Sequence, residues 1–275
     1  MQGASISKGY RENAHFQKMS RLGIGQWHYA QEVNKPMRFA KAILKLANKS
    51  TWGPFTEIAE MTSFDHSISA SWSQGGEDLA LIHALNGNRS GMYIDVGAHH
   101  PNRFSVTRHL YQLGWSGVNI DANEDLIKEF EKFRPRDRNL CLAVGTSPKY
   151  TFTIFEETAI STLDAEWKSK FIGENNKVAK EIEVEGRKLR EILDELDPLK
   201  RIDLLSIDAE GSDLQVLQSL EMDTLEKSRF PQWLLLEAAP PVSNALKTPA
   251  VKLAMQWGYE PHVVLSMSTL LKFVG

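Results

Sequence analysis

Four acids close apolar runs in this chain: Asp95 in GMYIDVG, Asp121 in GVNIDA, Asp208 in RIDLLSIDAEG and Glu237 in QWLLLEAA. An ionised carboxylate at the end of a buried strand is costly unless something there uses it. A helix cap at the strand–helix turn explains one such acid. It does not explain four, because parallel strands bring their carboxyl ends to one edge, where ligands bind in open α/β sheets. Like charges crowd there only beside a cation, a positively charged ligand or hydrogen-bond donors. Gly97 follows the first acid and lets the backbone pass close to a ligand. His99 and His100 complete that turn, and an imidazole has an ordinary pKa suited to proton transfer near neutrality. Glu210 and Gly211 follow Asp208. Hard oxygen ligands on Asp208, Glu210 and Glu237 would select Mg, Mn or Ca.

Asp121 lies about 26 residues after Asp95, where an acid can accept the two hydroxyls of a ribose. An adenosine is therefore expected. A nicotinamide dinucleotide needs its pyrophosphate on a glycine-rich turn and a helix N-terminus. Here the turn is VGAHHP, with one glycine and an acid just before it. Asp95 would repel a pyrophosphate and suits a cation. S-adenosylmethionine carries an ammonium and a sulfonium and no phosphate, so the charges favour it.

Elements that would position these residues follow from periodicity. Tyr93, Ile94 and Val96 read as a buried parallel strand. Before it, Ser73–Leu85 has helical spacing, and helix capping alone accounts for Glu77 and Asp78 in its first turn. Phe104–Gly114 reads as a helix ended by glycine, Gly117–Ala122 as a second strand, Glu124–Phe133 as a helix and Asn139–Gly145 as a third strand. This is the βαβαβ half of a doubly wound sheet. The alternation then breaks. Tyr150–Phe155 and Lys180–Val184 read as strands, Ser161–Asn176 is polar around Trp167 and Phe171, and Leu189–Leu196 is a short helix. The pattern resumes with strands at 202–207 and 232–237, helices at 214–220 and 245–257, and an antiparallel hairpin of 259–264 with 269–274.

Bulk properties are those of an ordinary globular protein: 275 residues, 42% hydrophobic, 24% charged, net charge −3. That charge gives no footprint for nucleic acid. Cys141 is the single cysteine, so no intrachain disulfide forms, and its apolar neighbours predict a small core residue. No apolar run reaches membrane-spanning length, and the polar start MQGASISKGYRENAHF lacks a signal-peptide hydrophobic region, so a cytoplasmic protein is expected. Met37–Leu46 reads as a basic amphipathic helix, suited to packing on the body of the protein or on a second copy, with a membrane surface as the alternative.

YIDVGAHHP, GVNIDAN and above all DLLSIDAEGSDLQVL resemble the FkbM-like methyltransferases, a branch of the class I S-adenosylmethionine-dependent enzymes. SQGGEDL and the RPRD of Arg134–Asp137 are similar to the family's bacterial subgroup. The resemblance covers roughly residues 72–274. It implies an α/β, Rossmann-like, doubly wound seven-strand mixed sheet with the last strand antiparallel. It also implies a partly helical N-terminal extension at 1–70 and a methyltransferase domain at 71–275 with an insertion around 146–200. Implied cofactor contacts come from Asp95, Gly97 and Ala98, from Asp121 and Ala122 at the ribose, and from Ala143 near the adenine, with Glu77 and Asp208 as further candidates. Many members carry asparagine where His99 stands.

Members are similar to O-methyltransferases acting on a hydroxyl of a sugar, polysaccharide or secondary metabolite, so a hydroxylated small molecule or glycan is the expected partner. The hydroxyl needs a general base or a metal. Asp208, His99 and His100 are the candidate catalytic groups, and Asp208, Glu210 and Glu237 the candidate ligands for a divalent cation. Trp167 and Phe171 offer faces for a sugar, with a core or lid role as the plainer alternative. Two rivals stand against this reading. A nicotinamide-dependent oxidoreductase would show further glycines after Gly97, where His99, His100 and Pro101 stand instead. A non-catalytic binding protein with the same fold would have lost strand-end acids, and all four are present.

Overall fold

A computed structural model describes residues 70–275 except 87, 198, 199, 239 and 240. The helix expected at 37–46, and any self-association through it, lie outside the described residues. Among those described, no helix is long and apolar enough to cross a membrane.

Seven strands form the main sheet: β1 (Met92–Val96), β2 (Ser116–Asp121), β3 (Arg138–Cys141), β7 (Leu204–Ile207), β8 (Trp233–Glu237), β9 (Tyr259–Val264) and β10 (Ser268–Phe273). Their order is β3-β2-β1-β7-β8-β10-β9. β3, β2, β1, β7 and β8 run parallel, and β10 enters antiparallel between β8 and β9. The order reverses between β1 and β7, which makes their carboxyl ends the switch point where α/β sheets bind ligands.

Strand residues alternate between two apolar faces. Ile94, Val96, Leu205, Ile207, Leu234 and Leu236 pack on one side. They meet α5 (Leu189–Asp194), α6 (Asp213–Gln218) and α8 (Pro249–Gln256). Tyr93, Leu204, Trp233 and Leu235 pack on the other, against α1 (Glu77–Ala84) and α2 (Arg108–Leu113). Burial on both faces is what the near-continuous apolar strands require.

Several elements differ from the sequence expectation for local reasons. Helix α2 starts at Arg108 and not at Phe104, because Phe104 holds φ +56°, outside the helical region. The helix expected at 245–257 is two, α7 (Val242–Ala245) and α8, because Pro249 cannot continue a hydrogen-bond ladder and instead starts the next one. The third strand also divides. β3 ends at Cys141, and β4 (Ala143–Val144) leaves for a second sheet of order β4-β6-β5. In that sheet β5 (Lys149–Phe155) and β6 (Val178–Arg187) pair as an antiparallel hairpin. Cys141 is exposed and not a core residue, since β3 is an edge strand whose outward positions have no neighbouring layer.

The RPRD segment is architectural. Arg134 is fully buried; its guanidinium donates to Thr107 Oγ1 (2.7 Å), the Pro101 carbonyl (2.6 Å) and Ser105 Oγ (2.5 Å). The Tyr93 hydroxyl donates to Asp137 at 2.5 Å, and the Gly117 amide donates to the same carboxylate at 3.0 Å. These bonds tie the loops after β1 and around α2 to the start of β3.

Candidate active site at the carboxyl edge

The register places Val96 opposite Ile120 and Ile207, and Ile207 opposite Leu236. One step further along, Gly97, Asp121, Asp208 and Glu237 stand together at the edge. Asp95 does not stand with them. It is one row back on the Tyr93 face, 4% exposed, and it accepts a hydrogen bond from Thr107 Oγ1 at 2.8 Å. Burial pushes its carboxyl up, against the Thr107 hydrogen bond and the charge of Arg134. Asp95 thus anchors the turn from beneath through Thr107 and Arg134.

Gly97 has φ +74°, and a Cβ there would collide with the carbonyl oxygen of Asp208. Its amide and that of Ala98 both donate to the Ile120 carbonyl, at 2.9 and 3.1 Å. Asp208 in turn donates its amide to the Val96 carbonyl at 3.0 Å. The two motif loops are thereby in backbone contact. His99 follows with φ +52°. Asparagine and histidine are both enriched in that left-handed region, which accounts for histidine where family members carry asparagine.

A cleft of about 580 Å³ opens above this edge. It is lined by Gly97, His99, Asp121, Ala122, Ala143, Asp208 and Glu210 from the sequence-derived set. Ala98 instead packs with Ile127 and Phe130 beneath the turn. His100 is a turn residue: its Nδ1 accepts from the amides of Asn102 and Arg103, both at 3.0 Å. Glu77 Oε2 accepts from the Gly75 amide at 2.8 Å, and Glu237 lies beside the cleft at the end of β8.

Five lining residues come from the 146–200 insertion and carry no sequence signal of their own: Phe152, Thr158, Ala159, Ser161 and Leu163. They reach the cleft because the small sheet packs Phe152 and Ile154 against Ala122. His99 Nε2 lies 3.0 Å from Thr158 Oγ1, and Arg103 forms a two-pronged ion pair with Glu157 at 2.8 and 3.0 Å. The insertion is also joined to the second motif. Thr162 Oγ1 donates to the Glu210 carbonyl at 2.7 Å, and Trp167 of α4 (Ala165–Gly173) packs on Gly211, whose φ is +95°.

The electrostatics are those of crowded acids. Asp208 lies deep among protein atoms, though the open cleft wets it. Burial and the neighbouring Glu237, Asp95 and Glu77 push its pKa up to about 7. Burial and the charges of Asp208 and Glu237 raise Glu210 to about 9. Asp213 is raised by burial and the same two neighbours. Burial also raises Asp121 to about 6, although the amides of Asn123 (2.8 Å) and His99 (2.9 Å) donate to it. His99 is lowered to about 4 by burial and by Arg103 and His100, so it is neutral at pH 7. Among the described residues, no three His, Cys, Asp or Glu side chains are arranged to hold a metal ion.

A pH dependence follows. Raised carboxyls hold protons in the folded chain that the unfolded chain has released above its ordinary carboxylate range. Their contribution is fullest below that range and is lost as pH rises through the folded values of about 6 to about 9. Thermal melts of the ligand-free protein should therefore show Tm falling between about pH 5 and about pH 9. A flat or rising Tm would contradict the crowding.

The cleft fits S-adenosylmethionine by its chemistry. Asp121 stands at the rim beside the Gly97 cradle, apolar walls from Ala122, Ala143 and Phe152 flank it, and surplus acid favours a cation. His99 Nδ1 is a buried polar atom without a partner facing this space. Comparison with known proteins agrees. The model of the methyltransferase FkbM domain matches residues 95–241, more than half the chain. A search of curated proteins returns no match. Similar solved structures include a TehB-like SAM-dependent methyltransferase from Corynebacterium glutamicum (10% identity, 82% of this chain and 100% of that one, TM-score 0.36). Another is the C-terminal domain of precorrin-6Y C5,15-methyltransferase from Rhodobacter capsulatus (16%, 77% and 91%, 0.35). A third is the glycopeptide N-methyltransferase MtfA complexed with sinefungin (10%, 77% and 90%, 0.36). With the family model spanning both motif loops, the chain belongs to the FkbM methyltransferase family and is an S-adenosylmethionine-dependent methyltransferase.

Proposed function

We propose that the protein is an O-methyltransferase that methylates a hydroxyl of a sugar, polysaccharide or secondary metabolite, with Asp208 as general base. The observation that carries this is the position of Asp208: at the cleft, against Gly97, with a carboxyl raised to about 7. A base works best with a pKa near the working pH.

When bound, the cofactor supplies an electrophilic methyl on sulfur. Asp121 would accept the ribose hydroxyls, and Ala122, Ala143 and Phe152 would flank the adenine. Asp208 orients the acceptor hydroxyl and takes its proton as the oxygen–methyl bond forms and the carbon–sulfur bond breaks. Positioning is the larger share of the rate. His99, neutral and beside Thr158, would hold the ligand by hydrogen bonding. A divalent cation on Asp208, Glu210 and Glu237 is the alternative activation, and chelator would then abolish turnover; the general-base reading expects turnover to survive.

The test is transfer from methyl-labelled cofactor to a panel of glycan fragments and hydroxylated metabolites, with the product methyl located by NMR. A methyl on oxygen is expected. A methyl on nitrogen or carbon overturns the O-transfer reading. A thermal shift supports the cofactor side: S-adenosylhomocysteine at about 100 times its Kd should stabilise the fold by about 2.7 kcal/mol, and NAD should not.

A further inference from the structure

The carboxyl edge carries more negative charge than the cofactor balances. Glu77, Asp208, Glu210, Asp213 and Glu237 feel one another's charges there. A bound S-adenosylmethionine brings an ammonium and a sulfonium, offset in part by its own carboxylate. Asp213 is 8% exposed and Glu77 3% exposed, and each keeps one buried carboxylate oxygen, Asp213 Oδ1 and Glu77 Oε1, without a hydrogen-bond partner. An unpaired buried oxygen of this kind is costly unless a ligand completes it.

Beside the acids stands an aromatic wall. Trp167 packs on Gly211, immediately after Glu210, and Phe171 packs on Trp167 with ring centroids 5.3 Å apart. The Lys170 ammonium lies 4.0 Å from the centre of the Trp167 ring, and Glu210 and Glu237 both feel its charge. The protein's own lysine thus shows that an ammonium is accommodated on this ring next to these carboxylates. Carboxylates beside an aromatic face suit an ammonium, which needs no fixed coordination shell. A metal ion needs convergent ligands, which the described residues do not offer here.

We infer that the acceptor carries an ammonium group, as an amino sugar or amino alcohol does, and that Glu210, Glu237 and the Trp167 wall select it. This rests on the methyltransferase reading and narrows its substrate class. The acidic edge would then steer a positively charged acceptor toward Asp208 and reject anionic ones.

The experiment uses full-length protein saturated with S-adenosylhomocysteine at pH 7. Binding of ethanolamine and glucosamine is compared with that of ethylene glycol and glucose by ligand-observed NMR titration. The ammonium probes should bind at least about tenfold more tightly. Glu210→Gln and Glu237→Gln should each reduce that preference, and Trp167→Leu should weaken the ammonium probes more than the neutral ones. Equal affinities for charged and neutral probes overturn the inference. So does a preference that survives both glutamine variants, or tight Mg²⁺ binding without an ammonium preference. Titration of the homocysteine product into each variant reports separately on the fold and the cofactor site. Failure of the wild type to bind it would strike the cofactor reading and not the acceptor's charge.

Discussion

Asp208→Asn is expected to lower the rate of methyl transfer by about 10²–10⁴-fold, the range of a general base, while S-adenosylhomocysteine binds with near wild-type affinity. The amide keeps the shape of the carboxyl and removes its basicity. The side chain lines the cleft, and its amide donates to the Val96 carbonyl, a bond the substitution keeps. The wild-type pH profile carries the same assignment. A base must be deprotonated, so the rate should rise with pH through about 7, where burial and the charges of Glu237, Asp95 and Glu77 hold this group. The variant's residual rate should lose that rise. Single-turnover kinetics across the pH range separates chemistry from release. A variant with full turnover, or a residual rate with the same inflection, would show that Asp208 is not the base.

Gly97→Ala is expected to cost about 3 kcal/mol and to abolish cofactor binding. A left-handed residue with a Cβ costs roughly 1–2 kcal/mol. Here the Cβ also meets the Asp208 carbonyl, a backbone atom held by β7 against β1, so relief requires parting the two central strands. Overpacking of that kind adds about 1–3 kcal/mol. For a domain of this size Tm should fall by roughly 6–12 °C. Gly76→Ala is the internal control: Gly76 has φ +82°, but a Cβ there meets nothing within 4 Å. It should cost only the backbone share, about 1 kcal/mol. Urea titrations with equal slopes would compare the two directly. Equal losses would mean that the contact with Asp208 carries no strain.

The strand-end pattern was legible because it is local. A buried parallel strand is apolar on both faces, so Asp121, Asp208 and Glu237 stand out as interruptions, and the register brings them to one edge. Asp95 has the same local signature and a different place. Its position depends on one residue of register and on Arg134, far along the chain, reaching it through Thr107. The two histidines are adjacent in sequence and part in the structure. His99 takes a left-handed conformation and faces the cleft, and His100 turns its acceptor nitrogen to the next backbone amides. No periodicity separates them.

The insertion was legible as strands but not as a cleft wall. Thr158 and Ser161 have no spacing that marks them, and what brings them in is the packing of Phe152 on Ala122, a contact between separate sheets. Cys141 was misread for a related reason. Apolar neighbours predict burial only where a further layer exists, and an edge strand has none on one side.

The central claim is that the edge formed by Gly97, Asp121 and Asp208 holds S-adenosylmethionine. Isothermal titration of the full-length protein with S-adenosylhomocysteine, beside the same titration with NAD, tests it most directly. The account predicts one-to-one binding of the first, weakened at least about tenfold in Asp121→Ala, and no heat with the second. Binding of NAD alone, or homocysteine-product binding indifferent to Asp121, would contradict it.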